Sequence, residues 1–239
     1  MPRRKDPAAT YRPHAGPTRR YIRDIILGVN DGLVSVFLLV AGVVGGGLDA
    51  RQVLLAGVAA SVAGAVSMAA GEYVATKSQE EVFDREMALE RQHIEHHRDA
   101  ELAEIREMFS GLGFTAETIS RIVREVDADD EAFLRVMMAL EFGVVEEERR
   151  SPLTAMATSG VLFIVGSLPS ILPFAFVSDP VLGLWIAAAA SGAGVFAVGA
   201  VKTYATHGHP IWSGLENTAI AALGAGLAYG VGRLFDVAV

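Results

Sequence analysis

Five long apolar stretches dominate the chain, and one long polar segment separates the second stretch from the third. A helix crosses a bilayer core with roughly 20 apolar residues, and each stretch reaches that length. The pattern predicts membrane spans over residues 25–48, 53–76, 153–178, 181–201 and 211–232. Because the other connections are short, neighbouring spans are expected to form antiparallel hairpins. Pro169 and Pro173 are expected to kink the third span.

The basic residues predict how the spans are oriented. Seven arginine and lysine residues precede the first span, and the positive-inside rule therefore places the N-terminus in the cytoplasm. Five spans then place the polar segment in the cytoplasm and the C-terminus on the opposite side. The first apolar run begins too late, and is too long, for a cleaved signal peptide.

The predicted organisation has four parts, which are a disordered basic N-terminus (1–20), spans one and two (21–77), a cytoplasmic acidic metal-binding domain of three helices (78–151), and spans three to five (152–239). The fold class is all-α, a multi-pass integral membrane protein with five transmembrane helices and a cytoplasmic helical insert. The Ala-, Gly- and Arg-rich usage favours a bacterial inner membrane, and a eukaryotic source would imply the vacuolar membrane.

The charge of the chain is concentrated in the polar segment. Residues 78–150, the acidic segment, contain 20 of the 28 acidic residues and 9 of the 20 Lys and Arg residues, a net charge of −11. Such a segment would repel the phosphates of nucleic acid and attract cations. The chain has no cysteine, which excludes disulfides, thiolate metal sites and cysteine nucleophiles.

The first helix of the acidic segment is predicted to run unbroken over residues 78–111 and to continue the second span. At about 100° per residue, one stripe beside its apolar face collects six side chains that suit a metal ion. Carboxylate and imidazole suit Fe(II), Mn(II) and Zn(II). The alternative interpretation is a solvated acidic helix face. The stripe consists of Glu86, Glu90, His93, His97, Glu101 and Glu104.

Two further helices are predicted in the acidic segment. Thr115 is the expected N-cap of the second, and the third covers residues 129–150, with Ser151 and Pro152 as its stop. The third helix adds Met137, Met138 and Glu141 as candidate ligands, because a thioether biases a site towards transition metals. The alternative for the two methionines is core packing.

Three side chains in the membrane spans are candidate pore ligands, namely Asp31, Met68 and Glu72. Ionisable groups inside a membrane usually have a partner or a function, and Met68 and Glu72 share a helix face. The alternatives are a helix N-terminal carboxylate bonded to neighbouring amides for Asp31, interfacial snorkelling for Glu72 and ordinary packing for Met68. Glu216 is interpreted as structural or interfacial, and the loop residues His207 and His209 as weak ligand candidates.

Several long motifs resemble the vacuolar iron transporter family, the plant and yeast vacuolar metal carriers and their prokaryotic relatives. They are "RDIILGVNDGLVSVFLLVAGVVGG" in the first span, "AGAVSMAAGEYVATKSQEE" in the second, "SLPSILPF" in the third and "LENTAIAALGAGLAYGVG" in the fifth. The resemblance extends from about residue 19 to the C-terminus.

The resemblance implies a homodimer that exports Fe(II), and often Mn(II) and other divalent metals, from the cytoplasm in exchange for protons. It places the pore between the first spans, with Asp31 and Met68 in it and Glu72 as a variant position. It assigns the cytoplasmic metal site to Glu90, Glu101, Glu104, Met137, Met138 and Glu141. His93 stands where the family usually has Glu, and His96 and His97 are further additions, so metal preference is a separate question here.

The predicted function is therefore a proton-coupled exporter of Fe(II), and of Mn(II) or Zn(II), with no organic cofactor and no enzymatic activity. A non-transporting metal buffer or sensor that acts through the acidic segment is the alternative. A ferritin-like di-iron oxidase would need Glu-x-x-His on two separate helices, and Glu90 with His93 is the one instance.

Overall fold

The computed structural model describes residues 19–143, 149–206 and 208–238, with helix ends 19–24, 204–206 and 236–238 described by backbone alone. Most of the predicted disordered N-terminus and the candidate ligand His207 lie outside the described residues. Among the described residues the helices are joined by turns and loops and no strand is present, which confirms the all-α class. The helices are α1 (Arg19–Gly45), α2 (Ala50–His96), α3 (Arg98–Gly111), α4 (Ala116–Asp127), α5 (Asp130–Glu141), α6 (Pro152–Ile171), α7 (Pro173–Phe176), α8 (Pro180–Thr206) and α9 (Pro210–Ala238).

Five of these helices are long and apolar enough to cross a membrane, as predicted: α1, α2, α6, α8 and α9. Helix α2 has 47 residues, and at 1.5 Å per residue it is about 70 Å long. A bilayer core is about 30 Å thick, so the apolar first half of α2 is sufficient to cross it. The polar second half, which begins near Lys77, extends beyond the span.

The third predicted span ends earlier than expected. Helix α6 stops at Ile171, and the four-residue helix α7 begins with Pro173 after an interruption at Leu172. Proline has no backbone N–H, and its ring opposes continuation of a preceding helix. At Pro173, where a kink was expected, the structure has an interruption of the helix, whereas Pro169 lies inside α6.

The described chain divides into two compact units. The spanning unit contains the described residues up to Gly71 and from Met156 onward, and the insert unit is Glu72–Ala155. In the spanning unit, α1 packs against α8 and α9. It also meets α6 at two glycines, because a Cβ on Gly32 would overlap the carbonyl of Phe163 and a Cβ on Gly166 that of Val29.

The insert unit has an apolar core built from α2, α3, α4 and α5, with Ile94, Ile105, Val123, Phe133 and Met137 among its buried residues. Helices α4 and α5 begin with side-chain caps. Thr115 accepts from the backbone N–H of Thr118, as predicted, and Asp129 accepts from Glu131 and Ala132.

The prediction of one unbroken helix over 78–111, and hence of three helices in the insert, is wrong. Helix α2 ends at His96, His97 has φ −129° and ψ 28°, and α3 begins at Arg98. The break brings Ile94 from one segment and Ile105 from the other into a single core. Arg98 is fixed beyond the break by ion pairs to Asp127 and Asp130 at 2.6 and 2.7 Å.

The last helix of the insert is also shorter than predicted. Helix α5 ends at Glu141, Phe142 is its C-cap, and Gly143 adopts a left-handed backbone with φ +64°. Glycine tolerates that conformation and commonly ends helices in this way. Residues 144–148 of the predicted helix lie outside the described residues, and residues 149–151 are not helical.

Candidate metal sites

The spanning unit contains a pocket of about 320 Å³ lined by residues of α1, α2 and α6, here called the Asp31 pocket. Its polar lining comes from the side chains of Asp31, Ser35, Ser67 and Met68. A carboxylate, two hydroxyls and a thioether are all capable of ligating a cation. The pocket therefore collects cation ligands at the surface of helices that are otherwise apolar.

Asp31 lies about three turns inside α1, because that helix begins at Arg19. The interpretation of Asp31 as a helix N-terminal carboxylate is therefore wrong. The Oγ of Ser35 donates a hydrogen bond of 2.7 Å to its Oδ1. Asp31, Ser35 and Leu39 are all exposed and, at a spacing of four residues, share one face of α1.

A second contact fixes α1 immediately before Asp31. The amide nitrogen of Asn217 donates to Oδ1 of Asn30 at 2.9 Å and to the carbonyl of Val195 at 3.0 Å, which joins α1 to α8 and α9. Sequence reasoning missed Ser35 and Asn217. The spacing of four from Asp31 was the available signal for Ser35, and a polar amide within an apolar span was the signal for Asn217.

The other membrane candidates differ in position. Met68 lines the Asp31 pocket, whereas Glu72 does not line it and belongs to the insert unit, where it is half-buried. Glu216 and His209 are exposed. The described geometry therefore groups two of the three proposed pore ligands, and Glu72 stays a prediction from sequence.

The insert unit brings together three of the predicted metal ligands, here called the Glu–His–Glu group. The Nδ1 of His93 lies 3.3 Å from Oε1 of Glu101 and 3.8 Å from Oε2 of Glu90. One ligand atom from each residue lies within 4.8 Å of the other two. The break at His97 makes this group possible, because Glu101 is eight residues after His93 and would lie about 12 Å farther along one continuous helix.

Burial distinguishes this group from a solvated acidic face. The side chains of Glu90 and Glu101 are 5% and 9% exposed, and that of His93 is 40% exposed. Carboxylates are rarely buried without a partner. Oε1 of Glu90 is buried with no hydrogen-bond partner among the described residues, which leaves one carboxylate oxygen available to a ligand.

The electrostatics of the insert unit indicate crowded negative charge around this group. Burial, followed by the charges of Glu101, Glu141 and Glu104, raises the pKa of Glu90 from 4.5 to about 7. Burial, and then the charge of Glu104, raises the pKa of Glu141. A divalent cation would relieve this repulsion, since each carboxylate that faces it is favoured in its ionised form.

The remaining predicted ligands surround the group or lie in the core. Glu104, Glu141 and His97 are exposed and Glu86 is half-buried. The His97 ring lies 6.3 Å from that of His93 in an edge-on arrangement. Met137 and Met138 are 0% and 4% exposed within the apolar core, so their packing role is confirmed, and their ligand role stays a prediction.

Comparison with known proteins gives matches along nearly the whole chain. The model of the VIT family matches residues 22–233. Vacuolar iron transporter 2 of Oryza sativa subsp. japonica is 34% identical over 212 residues, 89% of this chain and 86% of that protein. Vacuolar iron transporter 1 of the same species is 31% identical over 238 residues, 98% of this chain and 94% of that protein. Protein CCC1 of Saccharomyces cerevisiae is 28% identical over 218 residues, 88% of this chain and 67% of that protein.

Proposed function

Because the chain belongs to the VIT family, we propose that it exports Fe(II), and also Mn(II), from the cytoplasm in exchange for protons. The relatives are named as transporters, which is a non-enzymatic role and agrees with five helices that can cross a membrane. The proposal adds the direction, the coupling ion and the residues that carry the metal.

The observation that carries the proposal is the Asp31 pocket. Asp31 and Met68 come from two different spanning helices and line the same cavity with Ser35 and Ser67. A carboxylate attracts a divalent cation, and a thioether favours Fe(II) over Mg(II) or Ca(II). An ion that has shed part of its hydration shell would find replacement ligands here, within helices long and apolar enough to cross a bilayer.

The exposed face of α1 supports a homodimer as the transporting species. Asp31 and Ser35 would meet hydrocarbon if that face lay against lipid, and ionisable groups in spanning helices almost always face a protein interior or a water-filled cavity instead. A second copy packed against this face would bring two Asp31 carboxylates together across a shared pore. Two nearby carboxylates favour either a bound divalent cation or a shared proton, so metal release and proton uptake would be linked.

The insert unit is proposed to capture cytoplasmic metal before transport. The Glu–His–Glu group supplies the core of the capture site, with Glu86, Glu104, Glu141 and His97 around it, and Met137 and Met138 as thioether donors. The net charge of −11 on the acidic segment would also concentrate cations near it. Glu72 is proposed as a further carboxylate on the route of the ion, four residues beyond Met68 on α2.

The test is Fe(II) flux into liposomes that carry the purified full-length protein, with and without an acidic interior. We expect gradient-dependent flux from the native chain and a fall to the protein-free background for Asp31→Asn. The amide oxygen of Asn still accepts the bond from Ser35, so the change removes charge and leaves the local geometry. Asp49→Asn, in the loop between α1 and α2, is the matched control and should retain flux.

Two outcomes would contradict the proposal. Proton-coupled flux retained by Asp31→Asn would exclude the carboxylate mechanism. No flux of Fe(II), Mn(II) or Zn(II) by the native protein, with metal still bound to the Glu–His–Glu group, would instead favour a membrane metal buffer or sensor.

A further inference from the structure

We propose that His93 sets the metal preference of the Glu–His–Glu group, and that its nitrogen selects Fe(II), Co(II) and Zn(II) over Mn(II), Mg(II) and Ca(II). This inference rests on the proposed function in that the ion captured here is the transported one. It concerns selectivity, which the capture proposal does not specify, because the surrounding carboxylates would attract any divalent cation.

The distances between the three side chains fit direct coordination by His93. Donor atoms around a tetrahedral ion with bonds of 2.0–2.2 Å lie about 3.3–3.6 Å apart. The Nδ1 of His93 is 3.3 Å from Oε1 of Glu101 and 3.8 Å from Oε2 of Glu90. Small side-chain movements are therefore sufficient for one ion to contact all three atoms.

Burial assigns different positions in the group to the carboxylates and the imidazole. Glu90 and Glu101 are almost completely buried, whereas His93 is 40% exposed at the side chain. An ion that arrives from solvent therefore meets the imidazole on the accessible side of the group. The unpartnered Oε1 of Glu90 provides a further buried oxygen beside it.

The neighbouring arginines have other carboxylate partners. Arg98 pairs with Asp127 and Asp130, and Arg91 pairs with Glu131 at 3.4 Å. The two guanidinium groups therefore pair with carboxylates at the end of α4 and the start of α5. They do not substitute for a metal at Glu90 and Glu101.

The chemistry of the donors gives the direction of selectivity. Oxygen donors suit Mg(II), Ca(II) and Mn(II), whereas imidazole suits Fe(II), Zn(II) and Cu(II). Hard ions also depend strongly on the number of negative ligands around them. A neutral imidazole and two carboxylates have a total charge of −2. Three carboxylates would have a total charge of −3. His93 therefore favours the later transition metals and weakens the site for hard ions.

The experiment measures Zn(II) and Mn(II) dissociation constants by competition on the chelator-treated, full-length protein in detergent. An Asp31→Asn background removes the carboxylate of the Asp31 pocket from the measurement. We expect the preference for Zn(II) over Mn(II) to fall on the order of tenfold or more in both His93→Glu and His93→Gln, because each removes the nitrogen donor. His93→Gln keeps the charge of a neutral imidazole, and it therefore separates donor type from charge.

His96→Gln is the matched control. His96 is exposed, its Nδ1 contacts the carbonyl of Gln92 at 3.0 Å, and it lies outside the grouped ligands. The preference should not change in this variant. Electron spin-echo measurements on bound Cu(II) supply a second readout, in which imidazole nitrogen coupling should weaken in His93→Gln and stay unchanged in His96→Gln.

Parallel weakening of Zn(II) and Mn(II) with an unchanged ratio would overturn the selectivity role of His93 and leave the capture proposal intact. Thermal unfolding measured on the same samples distinguishes this result from a loss of folding in the His93 variants, which would also weaken both ions. Absence of metal binding by the Asp31→Asn parent would overturn both the selectivity role and the capture site. Transport by the native protein would still be tested separately by flux.

Discussion

The spanning unit and the insert unit present their carboxylates in opposite ways. Asp31 is exposed on one face of α1, with Ser35 as its hydrogen-bond partner, whereas Glu90 and Glu101 are buried beside an apolar core. The contrast indicates that the Glu–His–Glu group is assembled within one chain, while the Asp31 pocket lies on the exposed face against which we propose that a second copy packs.

The two units also use glycine differently. In the spanning unit, Gly32 and Gly166 lie inside helices and let two backbones approach closely, as small residues commonly do in membrane helices. In the insert unit, Gly113 and Gly143 follow helix ends with φ of +88° and +64°, as Gly47 of the spanning unit does with φ +82°. Substitution is therefore expected to disturb helix packing at Gly32 and Gly166, and backbone conformation at Gly113 and Gly143.

The largest expected effect is that of Gly32→Val on the spanning unit. The new side chain would overlap the backbone carbonyl of Phe163, which cannot move away as a flexible side chain could. Overpacking usually costs about 1–3 kcal/mol, and this substitution is expected at or above the upper end of that range because the backbone itself must move. Thermal unfolding in detergent should shift to lower temperature, while metal binding by the insert unit is retained.

Gly111→Ala is the control for that substitution, because nothing lies within 4 Å of a Cβ placed there. Its unfolding temperature should stay close to that of the native protein. Equal stability of Gly32→Val and the native protein would show that α1 and α6 do not depend on this contact.

The next effect concerns the buried carboxylates. Glu90→Gln combined with Glu101→Gln should stabilise the metal-free protein at pH 8, because the pKa of about 7 for Glu90 means that its ionisation opposes folding. The gain from Glu90 alone is about 3 kcal/mol. The same variant should lose the stabilisation that Zn(II) gives to the native protein.

Chemical or thermal unfolding with and without Zn(II) measures both effects. Glu107→Gln with Glu125→Gln removes two exposed acids of the same unit and serves as the charge-matched control. An unchanged response to Zn(II) in the Glu90 and Glu101 variant would exclude these residues as the capture site.

The smallest expected effect is the number of protons that the protein releases when Zn(II) binds. Glu90 has a pKa of about 7 in the folded chain, against 4.5 for an unperturbed glutamate, so below pH 4.5 it is neutral in both the folded and the unfolded chain and costs no stability. Its ionisation then opposes folding progressively between pH 4.5 and 7, and fully above 7. Zn(II) binding at pH 6.5 should therefore release up to about one proton from Glu90.

Calorimetry in buffers of different ionisation enthalpy measures that release. It should be smaller at pH 8, where Glu90 is already ionised, and smaller in Glu90→Gln at pH 6.5. A release that is the same in the variant would assign the proton to another group.

The comparison of the units also separates what could be predicted. The five spans were predicted from apolar length, the acidic segment from composition and the Thr115 cap from local hydrogen bonding. The structure confirms five helices long and apolar enough to cross a membrane, and it confirms the Thr115 cap. The predicted stripe on one helix failed, since nothing in the sequence between Ile94 and Leu102 indicates a break. Three of its six members nevertheless meet in the folded unit.

The burial of the methionine pair also could not be predicted from local sequence. Met137 and Met138 have the spacing and chemistry of ligands, but burial in the core depends on which helix faces oppose each other, and this is not a local property. Ser35 and Asn217 were missed for a related reason. Their roles depend on contacts with Asp31 and Asn30, and for Asn217 that contact joins distant parts of the chain.

The sequence alone determined that this is a five-span helical membrane protein with an acidic segment, and its motifs predicted a metal carrier through their resemblance to a known family. These properties depend on apolar length, charge and local motifs, all of which can be read without contacts. Only the tertiary structure decided that α2 ends at His96, that Glu90, His93 and Glu101 converge, and that Asp31 lies on an exposed face. The physical reason is that burial and convergence follow from packing between residues far apart in the chain, which local pattern does not encode.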